Sequence, residues 1–172
     1  MLNLLVFAEN TTLLSNLLLQ GTEFLPLLQS RDDLYGLYIY NMFYLHKLML
    51  GFLFGEFEPA NSYALECRNY LITVPESVGV AVLYFYDSLL ALAQLSQPLG
   101  EEPTTLERVA ERQTQLQHWA HHAPMNHHHK FDLVGSERCR VLRQKTEAGE
   151  LYHKAISGAK GNTCNNKQLP TN

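Results

Sequence analysis

The stretch TEAGELYHKAISGA, residues 146–159, decides the fold of this chain. Its small and apolar side chains recur every three or four residues, which is the spacing of one face of an α-helix. The members of this stripe are Ala148, Leu151, Tyr152, Ala155, Ile156 and Ala159. The stripe predicts a helix packed against a neighbour. Helical spacing of this kind recurs along nearly the whole chain, whereas strand-like alternation is absent. The sequence therefore predicts an all-α protein.

Proline, threonine and asparagine mark where earlier helices are expected to begin. Pro59 suits the first turn of a helix, where its missing N–H costs nothing. The inner face of that helix is predicted to hold Ala60, Ala64, Cys67 and Leu71. The apolar run Val80–Leu95 predicts a further helix. Thr104, with a glutamate three residues later, forms a capping box. Asn126, two residues after Pro124, is placed to cap the helix that follows.

Two short stretches resemble each other. Residues 54–60 and residues 144–148 each follow a helix with a tight turn and then open another helix with an acid near an alanine. The matching alanines, Ala60 and Ala148, are 88 residues apart. Such helix–turn–helix units predict tetratricopeptide-like antiparallel helix pairs that form a short superhelical solenoid. This repeat-like domain is predicted over residues 1–160, followed by a polar, disordered tail over residues 161–172.

Composition and charge bound the possible functions. The chain has 172 residues and a net charge of −4, which argues against nucleic acid as its main partner. Residues 1–100 hold nine acids and three bases (−6), and residues 101–172 hold eight acids and ten bases (+2). The three cysteines are widely spaced and form no C-x-x-C pair. A disulfide framework and a thiolate zinc site are therefore not expected, and the cytoplasm is the expected location.

The apolar stretch Leu34–Phe54 is close to a membrane span in length. Asn41, His46 and Lys47 interrupt it. Because polar side chains are costly inside a bilayer, a buried helix of a bundle is favoured. A membrane-anchored peptide remains an alternative interpretation.

A histidine cluster supplies the other alternative. It consists of His118, His121, His122, His127, His128 and His129. Imidazole is a common ligand of zinc and copper, so a small histidine-rich metal-binding protein is a competing hypothesis. No thiolate and no H-E-x-x-H pattern accompany these residues, and neither a metal site nor a cofactor is predicted.

Catalytic motifs are missing from the sequence. There is no phosphate-binding G-x-x-x-x-G-K-[ST] loop, and no protein-kinase motif set. Asp87 and Ser88 lie in an apolar run, and burial requires a partner for the carboxylate, for which Lys130 or a histidine is the candidate. Basic residues gather near the C-terminal end, at Arg138, Arg140, Arg143 and Lys145, and their scattered spacing favours a solvated surface. The chain is not expected to be an enzyme.

From Gly21 to Lys160 the chain resembles the helical segment of large, mainly cyanobacterial, multidomain sensor kinases. The resemblance rests on three sequence motifs, which are FYDSL at residues 85–89, WAHHAPMN at residues 119–126, and His129-Lys130. In those proteins a serine/threonine-kinase-like domain and an AAA-type signalling ATPase precede the segment. A GAF sensor module and a histidine kinase follow it.

The resemblance implies a noncatalytic linker that binds the neighbouring ATPase and sensor domains or associates with itself. It supplies no catalytic, cofactor-binding or metal residue. The motif residues that it marks as structural are Asp87, Ser88, Trp119, His122, Pro124, Asn126, His129 and Lys130. Asp87, His122, Asn126, His129 and Lys130 are expected to form a buried polar knot between helix pairs. The missing kinase and ATPase domains predict a truncated or frameshifted fragment.

Overall fold

A computed structural model describes residues 34–69, 71, 78–95 and 102–165. Within these ranges the backbone forms helices joined by short turns and contains no strand, which confirms the all-α prediction. The described helices are α1 (Leu34–Leu53), α2 (Phe57–Asn69), α3 (Val78–Leu95), α4 (Glu102–His122), α5 (Pro124–Val141) and α6 (Lys145–Asn165). The chain divides into two compact units between residues 76 and 77.

The first unit contains the antiparallel hairpin of α1 and α2. The side chain of Asn41 donates to the backbone carbonyl of Cys67 at 3.2 Å. Nearer the turn, Gly51 lies against Ala60 so closely that a Cβ added to the glycine would stand 3.0 Å from the Cβ of the alanine. The predicted inner face of α2 is confirmed for Ala60, Ala64 and Cys67, which are buried. These small residues are what allows the two helices to approach closely.

The second unit contains α3 to α6, and each helix packs against the next. Contacts between α5 and α6 show that they run antiparallel, because Gly135 faces Leu151 and the earlier residue His129 faces the later Gly158. Helix α5 packs against α3 as well as α4. The fully buried apolar side chains of this unit are Leu83, Leu90, Leu92, Val109, Leu116 and Val134.

Both tight hairpin turns adopt one backbone motif. After α1, the Gly55 N–H donates to the Phe52 carbonyl at 3.2 Å and the Glu56 N–H donates to the Gly51 carbonyl at 2.8 Å. After α5, the Arg143 N–H donates to the Arg140 carbonyl at 3.1 Å. In the same turn the N–H of residue 144 donates to the carbonyl of residue 139 at 2.9 Å. These paired bonds define the Schellman motif, whose central residue has a positive φ. That angle is 75° at Gly55 and 61° at Arg143.

The predicted N-caps of two helices and part of the predicted buried face of a third were wrong. Helix α4 begins at Glu102, so Thr104 lies inside the first turn instead of preceding it. Helix α5 begins with Pro124 at its first position and Ala123 as N-cap, which places Asn126 inside the first turn as well. On α6, the predicted stripe member Ile156 is 51% exposed because the buried face centres on Ala148 and Ala155.

The predicted domain boundaries are only partly within the described residues. Helix α6 continues through residues 161–165, the first part of the predicted tail, and ends at Asn165. Residues 166–172 and the N-terminal residues 1–33 lie outside the described ranges.

Candidate interaction surface

The buried carboxylate of Asp87 has a partner on α4. One oxygen of Asp87 lies 2.6 Å from a guanidinium nitrogen of Arg112, and both side chains are almost fully buried. The guanidinium carbon also lies 5.9 Å from the centre of the Tyr84 ring, within cation–π distance. The pair joins α3 to α4 inside the second unit.

The sequence prediction named the wrong partner for Asp87. It proposed Lys130 or a histidine, whereas the observed ion pair is with Arg112. A signal was present, because Arg112 stands three residues after Val109 and four before Leu116, both fully buried. A charged residue on the inner stripe of α4 needs an opposite charge on the helix it faces.

Two other predicted motif residues lie beside this pair. Ser88 is fully buried, and its hydroxyl donates to the backbone carbonyl of Tyr84 at 2.6 Å, four residues earlier in α3. The Trp119 ring packs against the rings of Tyr84 and His127, with ring centres 5.7 Å and 6.2 Å away, respectively. Both residues therefore contribute to the packing around α3.

The predicted polar knot does not assemble as a unit. His122, Pro124 and Asn126 are exposed at the junction of α4 and α5, whereas Asp87 is buried with Arg112. The physical reason is the start of α5 at Pro124, which turns the chain at the surface and leaves the first turn of the helix facing water. The prediction was therefore wrong for His122 and Asn126.

His129 and Lys130 are half-buried on α5. The ammonium of Lys130 donates to the backbone carbonyl of Asn126 at 2.8 Å, and burial lowers its pKa. Burial also lowers the pKa of His129, and so do the neighbouring charges of Lys130 and His127, while Asp132 acts in the opposite direction. Helix α6 passes close to His129, because a Cβ on Gly158 would lie 3.4 Å from the His129 Cβ.

The histidines pack in small groups instead of converging on one point. The ring centres of His118 and His122 are 4.6 Å apart on the exposed end of α4. On α5, His128 Nε2 lies 3.7 Å from an oxygen of the buried Asp132. Among the described residues, no group of three or more histidines, cysteines or acids is placed to hold a metal ion.

A shallow groove runs along α5 between α4 and α6. Its lining residues are Gln113, Thr114, Gln117, Phe131, Gly135, Arg138, Cys139 and Leu151, and its volume is about 280 Å³. The Gln113 amide donates to the backbone carbonyl of Phe131 at 3.2 Å and so joins α4 to α5 across the floor. Gln117 and Phe131 also line a neighbouring depression of about 380 Å³ with Pro124 and His128. The two depressions therefore share a wall and extend along the same helices.

A second depression lies at the turn between α5 and α6. Its volume is about 370 Å³, and its lining residues are Arg140, Arg143, Lys145, Ala148, Gly149 and Tyr152. All four basic residues noted in the sequence are exposed, as the predicted solvated surface requires, and three of them line this one depression. The fourth, Arg138, lines the groove along α5. We name the depression at this turn the basic corner.

No described helix is both long enough and apolar enough to cross a membrane. No known protein family, no curated protein and no solved structure matches this chain.

Proposed function

We propose that this chain is a noncatalytic helical-repeat segment that binds other protein domains and joins the modules of a signal-transduction kinase in the cytoplasm. The observation that carries the proposal is the packing of α5, which lies against both helices of the preceding pair and pairs in turn with α6. In tetratricopeptide-like solenoids the first helix of each repeat packs in this way on the repeat before it. Stacking of this kind leaves extended grooves that serve as binding surfaces.

The groove along α5 supports a protein partner more than a small molecule. It is shallow, and its walls carry the amides of Gln113 and Gln117, the hydroxyl of Thr114 and the Phe131 ring. Amide and hydroxyl groups exchange hydrogen bonds with a polypeptide backbone as readily as with water, and an aromatic ring supplies apolar contact area. The resemblance to sensor kinases names the partner domains as a signalling ATPase and a GAF sensor module.

The test is a binding measurement with those domains. The purified chain is titrated by calorimetry with the recombinant ATPase and GAF domains of a sensor kinase of this architecture, and saturable binding to at least one is expected. The variant Gln117→Trp fills the groove and is expected to weaken binding about tenfold, because lost contacts of about 1.4 kcal/mol change the dissociation constant by that factor. Gln115→Trp adds the same ring on an exposed part of α4 that does not line the groove, and it should bind like the wild type.

Two results would contradict the proposal. One is the absence of binding to both domains while circular dichroism shows the chain to be helical. The other is equal weakening by Gln117→Trp and Gln115→Trp, which would place the contact elsewhere. Both glutamines are exposed, so neither variant is expected to change the melting temperature appreciably.

A further inference from the structure

The basic corner combines an apolar floor with a cationic rim. Ala148, Gly149 and the Tyr152 ring form the floor. Gly149 contributes open space, since a Cβ placed there would meet no atom within 4 Å. The volume of about 370 Å³ falls within the range of about 300–1,000 Å³ that is usual for ligand-sized pockets.

One wall of the basic corner is held in place by a polar network. The Glu137 carboxylate accepts from the Arg140 side chain at 2.7 Å and from the Tyr152 hydroxyl. The hydrogen bond to Glu137 raises the pKa of Arg140, and burial together with the same carboxylate raises the pKa of Tyr152. The network ties α5 to α6, so the wall loses little freedom when a ligand binds.

The other two cations at the rim, Arg143 and Lys145, are available to bind an anion. Arg143 and Lys145 are exposed, and within the described ranges neither has a carboxylate partner. Arg143, which has a positive φ in the turn, and Lys145, the first residue of α6, both line the depression. Glu147 lies in the first turn of α6 but does not line the depression.

We propose that the basic corner binds an acidic peptide segment of a partner protein, with an apolar side chain on the floor and flanking carboxylates at Arg143 and Lys145. Charge complementarity argues for this occupant, because the rim carries three cations and one of them is neutralised by Glu137. The apolar floor argues for a peptide with an apolar anchor instead of a bare anion. The inference rests on the proposed function, since it names the chemistry of one partner of the interaction segment.

The test uses the whole chain and two labelled hexapeptides in fluorescence anisotropy. The first peptide has a central leucine–phenylalanine pair flanked by two glutamates on each side, and the second has glutamines in place of the glutamates. The acidic peptide is expected to bind at least tenfold more tightly, because hydrogen bonds to charged groups account for differences of this size.

Variants separate loss of the site from loss of the fold. Gly149→Leu fills the floor and should weaken the acidic peptide at least tenfold, while the better helix former keeps or raises the melting temperature. Gly161→Leu is the matched control on the same helix, since a Cβ added to that glycine also meets no atom within 4 Å. Arg143→Gly removes a cation while keeping a residue that favours the positive φ, and Lys145→Gln removes the other. Each should weaken binding severalfold, whereas Lys154→Gln, an exposed cation away from the corner, should not.

Three outcomes would overturn the inference. Equal binding of the two peptides would exclude charge recognition. Complete displacement of the peptide by millimolar inorganic phosphate, together with undiminished binding by Gly149→Leu, would show a simple anion site. Loss of a dimer in Gly149→Leu by sedimentation would show that a second copy is the occupant.

Failure of this inference can be distinguished from failure of the proposed function. If the acidic peptide does not bind but the ATPase or GAF domain still binds and Gln117→Trp still weakens that binding, only the inference about the basic corner is wrong. If neither class of partner binds, the proposed function itself fails.

Discussion

The two tight hairpin turns have the same backbone geometry but different residues at the position that needs a positive φ. Gly55 occupies it between α1 and α2, and Arg143 occupies it between α5 and α6. They are 88 residues apart, as are the buried alanines Ala60 and Ala148 that follow them. The recurrence of both features shows that the resemblance between the two stretches of sequence reflects one shared turn structure.

The helices that meet at these turns are held together by partly different contacts. In the first hairpin, Gly51 and Ala60 bring the two backbones close together next to the turn. Farther from the turn, the Tyr40 hydroxyl donates to the Glu66 carboxylate at 3.2 Å, across α1 and α2. In the second, Glu137 joins Arg140 and Tyr152 across α5 and α6. A tyrosine–glutamate hydrogen bond thus joins the helices of both hairpins, and the difference is the close backbone contact of the first and the arginine bound to the glutamate in the second.

The largest effect is expected from the charges buried in the second unit. Asp87→Leu leaves the buried guanidinium of Arg112 without its carboxylate partner, and breaking a buried pair in this way costs about 3–5 kcal/mol. Asn41→Leu, in the first hairpin, removes one neutral hydrogen bond to the Cys67 carbonyl and should cost about 1–3 kcal/mol. Urea unfolding followed by circular dichroism measures both.

The double variant Asp87→Leu/Arg112→Leu tests the reason for that difference. Replacing both charges by apolar side chains removes the unpaired group, so much of the lost stability should return. A double variant as unstable as Asp87→Leu alone would show that shape, and not charge, dominates this site.

The second-largest loss of stability is expected where α1 and α2 approach each other most closely, at Gly51. Gly51→Cys places there the residue that the second hairpin has at the equivalent position, Cys139. The new Cβ would stand 3.0 Å from that of Ala60, which has no flexible side chain to move aside, so the helices must separate at a cost of about 2 kcal/mol. Gly161→Cys, where a Cβ meets nothing within 4 Å, is the control and should not destabilise the chain. Equal free energies of unfolding for the two variants would mean that the first hairpin does not depend on close packing.

A smaller effect is expected from exchanging the residues at the centre of the two turns. Gly55→Arg forces a residue with a Cβ into a positive φ and should cost about 1 kcal/mol. Arg143→Gly relieves the same strain and should gain a similar amount, provided that the arginine side chain makes no stabilising contact of its own. Thermal melts of the two variants should therefore shift in opposite directions. A loss of stability in Arg143→Gly would show that the arginine side chain supports the second turn.

Much of this fold could be predicted from the sequence, but the partners across helices could not. The stripe around Ala148 and Ala155 identified α6, and the match between Ala60 and Ala148 identified two equivalent turns. The spacing of residues along one helix indicates which side chains share a face, but it does not indicate which residues of the neighbouring helix they contact. For that reason Arg112 was not predicted as the partner of Asp87, although the sequence places it on the same face of α4 as Val109 and Leu116.

The smallest effect is expected from pH, and it too separates the two regions. Burial and the nearby charge of Lys130 lower the pKa of His127, whose ring packs against Trp119. Because the unfolded chain then binds more protons than the folded chain, stability is fully present above the ordinary histidine pKa of about 6.5 and is lost as the pH falls through the lower folded pKa. In the first hairpin the described histidine, His46, is exposed and sits on α1. Urea melts at pH 5.5 and pH 7.5, read by the fluorescence of the single tryptophan, should show a decrease of stability in acid that is smaller in His127→Gln and unchanged in the exposed control His153→Gln. An identical decrease in all three proteins would assign the acid sensitivity to other groups and remove this difference between the two regions.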